Sequence, residues 1–147
     1  MVFKKHLLGF IRPKSNSIFD INNPIGIKYL TRLRLGFSHL KEHKFRHCFQ
    51  DSVDPFCNCG NGIESTKHFF LHCVNFTIQR QTLFDKIADI DNTVLTKSDD
   101  TITEILLFGQ EKLDDYLNRL ILQATVDFIL SSERFSGPLF QLLLFTS

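Results

Sequence analysis

The chain reads as a mainly α protein: short helices around a loop rich in cysteine and histidine, followed by a helical hairpin. Three observations predict this. Apolar residues recur at three- and four-residue spacing through most of the chain. Helix-start residues (Asn23-Pro24, Ser98) and helix-stop residues (Gly36, Gly109, Gly137-Pro138) bracket those stretches. Between them, residues 51–64 crowd together Asp, Pro, Asn and Gly and read as a loop or short hairpin.

In order along the chain, "RPKSNSIFDINNP" is rich in turn formers and gives an extended connector over 1–23. Asn23 is a helix N-cap, with Pro24 in the first turn. Ile27, Tyr29, Leu30 and Leu33 supply that helix with an apolar side. Lys28 and Arg32 stand one turn apart on another side, and Gly36 closes the helix in the left-handed conformation. "SHLKEHKFRHCF" forms a second short helix capped by Ser38, with Leu40, His43 and His47 near one face. After the loop, Ser65 or Thr66 caps one or two turns over "KHFFLHCVNF". "TIQRQTLFDKIADI" continues with Ile78, Leu83, Phe84, Ile87 and Ile90 at helical spacing. Residues 24–92 are thus a basic helical segment plus a Cys/His box, and 93–147 a C-terminal helical region. There Ser98 is an N-cap, Asp99 and Asp100 occupy the first turn, and Gly109 is a stop. The longest element, "KLDDYLNRLILQATVDFILSSERF", carries a stripe of Leu113, Leu117, Leu120, Ile121, Ala124 and Phe128. "LFQLLLFTS" ends the chain on apolar residues.

With 147 residues, 43% of them hydrophobic and 22% charged, the chain has one-domain length and ordinary globular usage. Sixteen Phe and no Trp give aromatic bulk for packing. No apolar run reaches the roughly 18–20 residues of a spanning helix. The opening "MVFKKHLLGFIRP" is too short, and too soon interrupted by Arg12, for a secretory signal. The expectation is an intracellular protein, nuclear or cytoplasmic, with reduced thiols. In such a setting clustered cysteines bind metal or do chemistry more often than they cross-link. Charge is divided unevenly: residues 1–73 carry eleven Lys/Arg against five Asp/Glu, and 74–147 carry six against eleven. The basic front half suits phosphates; the alternative is two solvated faces of one domain.

Three of the four cysteines and two of the six histidines fall within residues 57–73. Their spacing is Cys57-x-Cys59-Gly60, then Glu64-Ser65-x-x-His68-x4-Cys73. A structural zinc needs four converging donors at about 2.0–2.3 Å. A tight turn supplies two and the start of a helix the other two, with Gly60 free to take positive φ and curl both thiolates to one side. This is a zinc-knuckle-like loop. The fourth donor stays open between His72 and Cys73: at 3.6 residues per turn His72 shares the face of His68, whereas Cys73 stands about 140° away. Either His72 ligates from a regular helix, or the turn loosens near Cys73. The one-residue spacer between Cys57 and Cys59 is shorter than the usual two to four. Rival readings are a redox Cys-x-Cys pair, which explains neither His68 nor Cys73, and buried inert thiols beside ordinary histidines. His39, His43 and His47, four residues apart, form a weaker metal candidate, and Cys48 reads as a free thiol.

The stretch "FIRPKSNSIFDINNPIGIKYLTRLRLGFSHLKEHKFRHCFQD", followed by this box, resembles the C-terminal tail of non-LTR retrotransposon reverse transcriptases. In that family an Arg-x-Arg-x-Gly-x-Ser/His-Leu stretch precedes a cysteine–histidine box; Arg32, Arg34, Gly36, Ser38, His39 and Leu40 correspond here. "LLFGQ" and "ILQATVDFILSSERF" are similar to the helices that follow the box, so the likeness spans roughly residues 8–140. The resemblance implies an intact parent that reverse-transcribes element RNA at a nicked target, with a tail that binds nucleic acid in support. It implies metal ligation by Cys57, Cys59, His68 and Cys73, favouring Cys73 over His72. It also makes 1–23 the connector from an absent upstream polymerase region. One departure is Val74, where many relatives carry proline.

Polymerisation requires paired aspartates holding two cations, and no aromatic-x-Asp-Asp box occurs on a recognisable hairpin. Asp99-Asp100 reads as a first-turn cap pair and Asp114-Asp115 as a solvated face. The expectation is a non-catalytic fragment with one structural Zn²⁺ and no membrane contact. It would bind RNA or DNA through the phosphate backbone by Lys28, Arg32, Arg34, Lys41, Lys44 and Arg46, with His39 and His47 marginal and Arg34 able to stack on a base. The rivals are a helical protein-interaction adaptor using residues 99–134, which requires an exposed apolar patch there, and a retroelement relic without selected function.

Overall fold

A computed structural model describes residues 21–51 and 53–136. Most of the expected connector, the Gly137-Pro138 stop and the apolar closing stretch lie outside the described residues. Among the described residues five α-helices follow one another: α1 (Pro24–Leu35), α2 (Lys41–Arg46), α3 (Thr77–Ile90), α4 (Asp99–Phe108) and α5 (Asp115–Ser132). A π-helical turn (His68–His72) and a 3₁₀ turn (Val74–Phe76) lead into α3, and a second 3₁₀ turn (Val94–Thr96) precedes α4. Among the described residues no strand forms; Phe56 and Ile63 make one isolated antiparallel bridge, so residues 56–63 form a short hairpin. The fold is mainly α, as the sequence predicts.

Local chemistry sets most helix ends. Asn23 Oδ1 accepts from the Gly26 N–H at 2.8 Å, Pro24 follows, and Gly36 closes α1 at φ 72° with its N–H on Leu33 O. Ser98 Oγ accepts from the Thr101 N–H at the start of α4. Two expectations are corrected. The longest helix begins at Asp115, because Asp114 is its N-cap, its carboxylate accepting from the Leu117 N–H at 2.8 Å; Asp114 is no mere solvated face. Nor does Ser38 cap α2: its hydroxyl accepts from the Leu40 N–H and meets His43. The free N–H groups of α2 are met instead from Glu64, whose side chain accepts from Lys41 N at 2.8 Å and whose carbonyl accepts from Glu42 N. A cap supplied from 23 residues downstream leaves no local sequence signal.

α5 is the central helix, packed by α3, α1 and α4. Its buried residues are Ile121, Leu122, Ala124, Thr125, Val126, Phe128 and Ile129. That set is broader than the expected stripe because α5 is covered on more than one side. α1 crosses it closely at Gly26, where a Cβ would lie 2.4 Å from Val126 Cγ1. The α4–α5 hairpin is tied by the buried Thr125 hydroxyl donating to Leu106 O at 2.7 Å. Asn118 locks the connection, accepting from Gln110 N and donating to Gln110 O, both at 2.8 Å. Leu30, Leu33 and Phe70 join Leu83, Ile87, Leu106 and Ile121 in one core, so residues on both sides of position 92 bury a common apolar surface. No helix among the described residues is long and apolar enough to cross a membrane.

Candidate metal centre

Two backbone devices bring four soft or borderline donors together. The first is the hairpin: Cys57 N donates to Gly62 O at 2.8 Å, Glu64 N to Pro55 O at 2.9 Å, and Gly60 N to Cys57 O at 3.1 Å. Gly60 takes φ 85°, as its position after Cys59 predicts, and Gly62 takes φ 97°. The second is the segment that follows. Ser65 Oγ accepts from His68 N at 3.1 Å and starts the turn. The ladder then widens, Cys73 N donating to His68 O at 2.8 Å, an i→i+5 bond. That wider turn brings residue 73 back beneath residue 68 and removes the angular offset of a regular helix. Phe69 and Phe70 drive the local geometry, both fully buried, Phe69 packing on Phe128 with ring centroids 5.1 Å apart.

Cys57, Cys59, His68 and Cys73 thereby place one ligand atom each within 4.8 Å of all the others, a compact site able to hold a metal ion. Cys57 Sγ and Cys73 Sγ lie 3.7 Å apart, and Cys59 Sγ lies 3.3 Å from His68 Nε2. Two thiolates ~2.3 Å from one ion at the tetrahedral angle would sit ~3.8 Å apart, and a thiolate and an imidazole nitrogen ~3.6 Å. The observed edges fit that figure. His72 is turned away: its Nε2 lies 2.7 Å from Asp99 Oδ2, while Lys67 reaches Asp100 at 3.0 Å. The π turn is thus fastened to the first turn of α4 through its outer side chains. His39, His43 and His47 do not converge; among the described residues the four-donor cluster is the one group of metal-binding geometry. Cys48 is an exposed free thiol.

Burial makes a bare thiolate costly at two of the three cysteines. Burial pushes the Cys57 thiol up to about 12 and raises Cys73, while the Asn61 backbone N–H lowers Cys59. Burial also lowers His68 and keeps its imidazole neutral with a lone pair to offer. Buried thiols of this kind keep their protons until a metal cation displaces them, and the protons then leave to solvent.

Two supporting residues had no assigned role in the sequence reading. Arg80 is only 8% exposed and donates to Phe70 O (2.7 Å), Cys73 O (2.8 Å) and Phe69 O (3.2 Å). It occupies the inward face of α3 with Leu83 and Ile87, whereas Ile78, expected on that face, is 82% exposed. Arginine outcompetes isoleucine there because the widened turn leaves carbonyls that need donors. Glu64, 5% exposed, grips Arg134 through Arg134 Nε–Oε2 (2.8 Å) and Arg134 Nη2–Oε1 (2.6 Å) while capping α2, and so joins the metal loop to the end of α5.

His43 behaves differently from a ligand. Its Nδ1 accepts from Ser38 N at 3.2 Å, which leaves the proton on Nε2 to face Thr66 Oγ1 at 3.2 Å. Burial, against the opposing pull of Glu42, lowers its pKa from 6.5 to about 4. The unfolded chain therefore binds this proton first. His43 leaves stability intact above pH 6.5 and erodes it as pH falls toward 4, by about 1.4 kcal/mol per unit in that window. An NMR titration of the ring should show His43 neutral at pH 5, and denaturant unfolding at pH 5 should show this group's contribution down by about 2 kcal/mol from pH 7.

The basic residues are placed unequally. Lys28 is exposed above the Tyr29 ring, and Arg32 is half-buried with no ion-pair partner among the described residues. Lys41 reaches Asp54 at 3.5 Å and Asn58 at 3.2 Å, Lys44 pairs with Asp51, and Arg46 with Glu42. Arg34 is a correction. Its guanidinium is turned into the body, Nε donating to Leu107 O at 2.6 Å beside the Phe108 ring, and burial lowers its pKa to about 10. It belongs to the α1–α4 contact, so neither a phosphate nor a base can take it without breaking that contact. Of the marginal histidines, His39 is exposed, while His47 stacks on Phe37 at 3.8 Å and meets Gly36 O at 3.0 Å. Compared with protein-family models, with curated proteins and with solved structures, the chain matches none.

Proposed function

We propose that the chain is a non-catalytic nucleic-acid-binding unit pinned by one structural zinc, of the kind found at the C-terminal tail of non-LTR retrotransposon reverse transcriptases. The observation that carries this reading is the convergence of one ligand atom each from Cys57, Cys59, His68 and Cys73 within 4.8 Å of one another, two of the separations being close to tetrahedral edges. The donor set, three sulfurs and one imidazole, is that of closed structural zinc sites. The basic helix α2 adjoins the loop, its Lys41 contacting Asp54 and Asn58. Lys28, Arg32, Lys41, Lys44 and Arg46 supply the phosphate contacts. The surface pairs of Lys41, Lys44 and Arg46 are weak and exchange readily for phosphate oxygens. The adaptor alternative loses its main support, because Ile102, Ile105, Leu106, Ile121 and Phe128 are spent in the core.

Fluorescence anisotropy with a single-stranded oligonucleotide tests the reading. With five phosphate contacts, log K should fall against log salt with a slope near −3.5, taking about −0.7 per contact on a single strand. Binding that ignores salt, or no binding at low salt, would remove nucleic acid as the ligand.

A further inference from the structure

A cavity of about 130 Å³ opens between α1 and the turn that follows it, lined by Lys28, Tyr29, Arg32, Ser38, His39 and Phe135. Its walls are built rather than accidental. The Tyr29 hydroxyl donates to Phe135 O at 3.1 Å, and the two rings stand 5.4 Å apart. Arg134 Nη2 donates to His39 O at 3.0 Å and fixes the opposite rim. Two of the six lining side chains, Lys28 and Arg32, are cationic, His39 adds an imidazole, and none is acidic. Glu64, which reaches this rim through Arg134, is engaged by that guanidinium. Arg32 has no ion-pair partner among the described residues, so its fork of donors is uncommitted. Burial, then Lys44, Arg32 and Arg134, holds the His39 ring toward its neutral form, with Asp51 acting the other way, so Lys28 and Arg32 are the cations of the wall.

Size narrows the ligand. At roughly 30 Å³ per molecule the cavity has room for about four waters. Pockets that enclose a whole drug-sized ligand run from about 300 Å³ upward, so an entire nucleotide does not fit inside. A phosphate group does, and a guanidinium pairs with phosphate in fork geometry. The two aromatic walls, Tyr29 and Phe135, offer a face for the planar or apolar group the phosphate carries. A phosphate monoester, with its extra charge and three free oxygens, fits a cationic recess better than a diester running along an open surface.

We infer that this cavity is a phosphate-monoester site, taking either the terminal phosphate of a nucleic-acid strand or that of a free nucleoside monophosphate. The assignment deepens the nucleic-acid reading above and rests on it for the strand-end source. Calorimetry on the full zinc-loaded chain compares a 5′-phosphorylated oligonucleotide, the same strand without the phosphate, and a nucleoside monophosphate, with ¹H NMR following the His39 ring. The phosphorylated strand should bind about tenfold more tightly than its partner. Arg32→Ala should erase that difference, whereas Arg46→Ala should weaken both strands alike and leave the difference standing. The His39 ring signals should shift on addition of phosphorylated ligand. Monophosphate binding without oligonucleotide binding would keep the pocket and overturn the nucleic-acid reading. Equal affinity of the two strands, with no monophosphate binding and Arg32→Ala weakening both strands alike, would overturn the pocket and leave that reading standing. Failure of all three ligands would overturn both.

Discussion

Replacing Cys73 by alanine is expected to abolish stoichiometric zinc binding, whereas His72→Ala should leave one zinc per chain. The two residues are adjacent and a helical wheel favours the histidine, so the pair of variants tests the widened turn itself. In the structure the i→i+5 bond from Cys73 N to His68 O brings the Cys73 thiol to 3.7 Å from Cys57, while His72 faces Asp99. The cost of losing the ion should be large. The hairpin buries little apolar surface of its own: Phe56 is 58% exposed and Ile63, its bridge partner, 47%. Its order otherwise rests on a few backbone bonds and the Glu64–Arg134 pair. Structural zinc in small domains is worth about 10–16 kcal/mol of apparent binding energy at neutral pH, which here would be folding energy for the loop. Elemental analysis gives the stoichiometry. Amide spectra of the Cys73→Ala protein should lose dispersion in residues 53–73 while the α4–α5 signals persist. Cys48→Ala serves as the control and should change neither. If His72→Ala releases the ion and Cys73→Ala retains it, the ligand set is wrong.

The sequence made the helices legible where the determining chemistry is local. Asn23, Gly36, Ser98 and Gly109 each act within four residues of their own position, and the structure places them at helix ends. Three members of the candidate metal quartet, Cys57, Cys59 and His68, were legible for a related reason, their short spacing, while the fourth was left between His72 and Cys73 and only the resemblance favoured Cys73. What stayed hidden acts across distance. Glu64 caps α2 from 23 residues away and Arg134 closes on it from 70 further on. Arg34 looked like a member of a basic face, yet its partner is a carbonyl at the end of α4. The choice between His72 and Cys73 could not be read from a period of 3.6, because a π turn is a departure from that period imposed by tertiary demands.

Arg80→Met is expected to destabilise the zinc-loaded protein by about 3 kcal/mol, the second largest effect. The variant keeps most of the stem volume and removes the donors, so it isolates hydrogen bonding from packing. Arg80 supplies donors to three carbonyls, those of Phe69, Phe70 and Cys73, which the widened turn leaves for side chains to meet. A buried acceptor stripped of its donor costs about 1–3 kcal/mol. Partial entry of water keeps the total below the sum of three such losses. There is an electrostatic share as well. Three thiolates around a divalent ion carry a net negative charge, and the guanidinium adjoining Cys73 is the cation that the core places beside it. Arg80→Lys keeps that charge and restores one donor at most, so it should fall between wild type and Arg80→Met. Denaturant unfolding in excess zinc measures the order, and competition with a chelator measures the ion's affinity, which should weaken in the same sequence. Should Arg80→Met unfold at the wild-type midpoint with unchanged zinc affinity, the π turn would be held by its phenylalanines alone, and the guanidinium would be a passenger in the core.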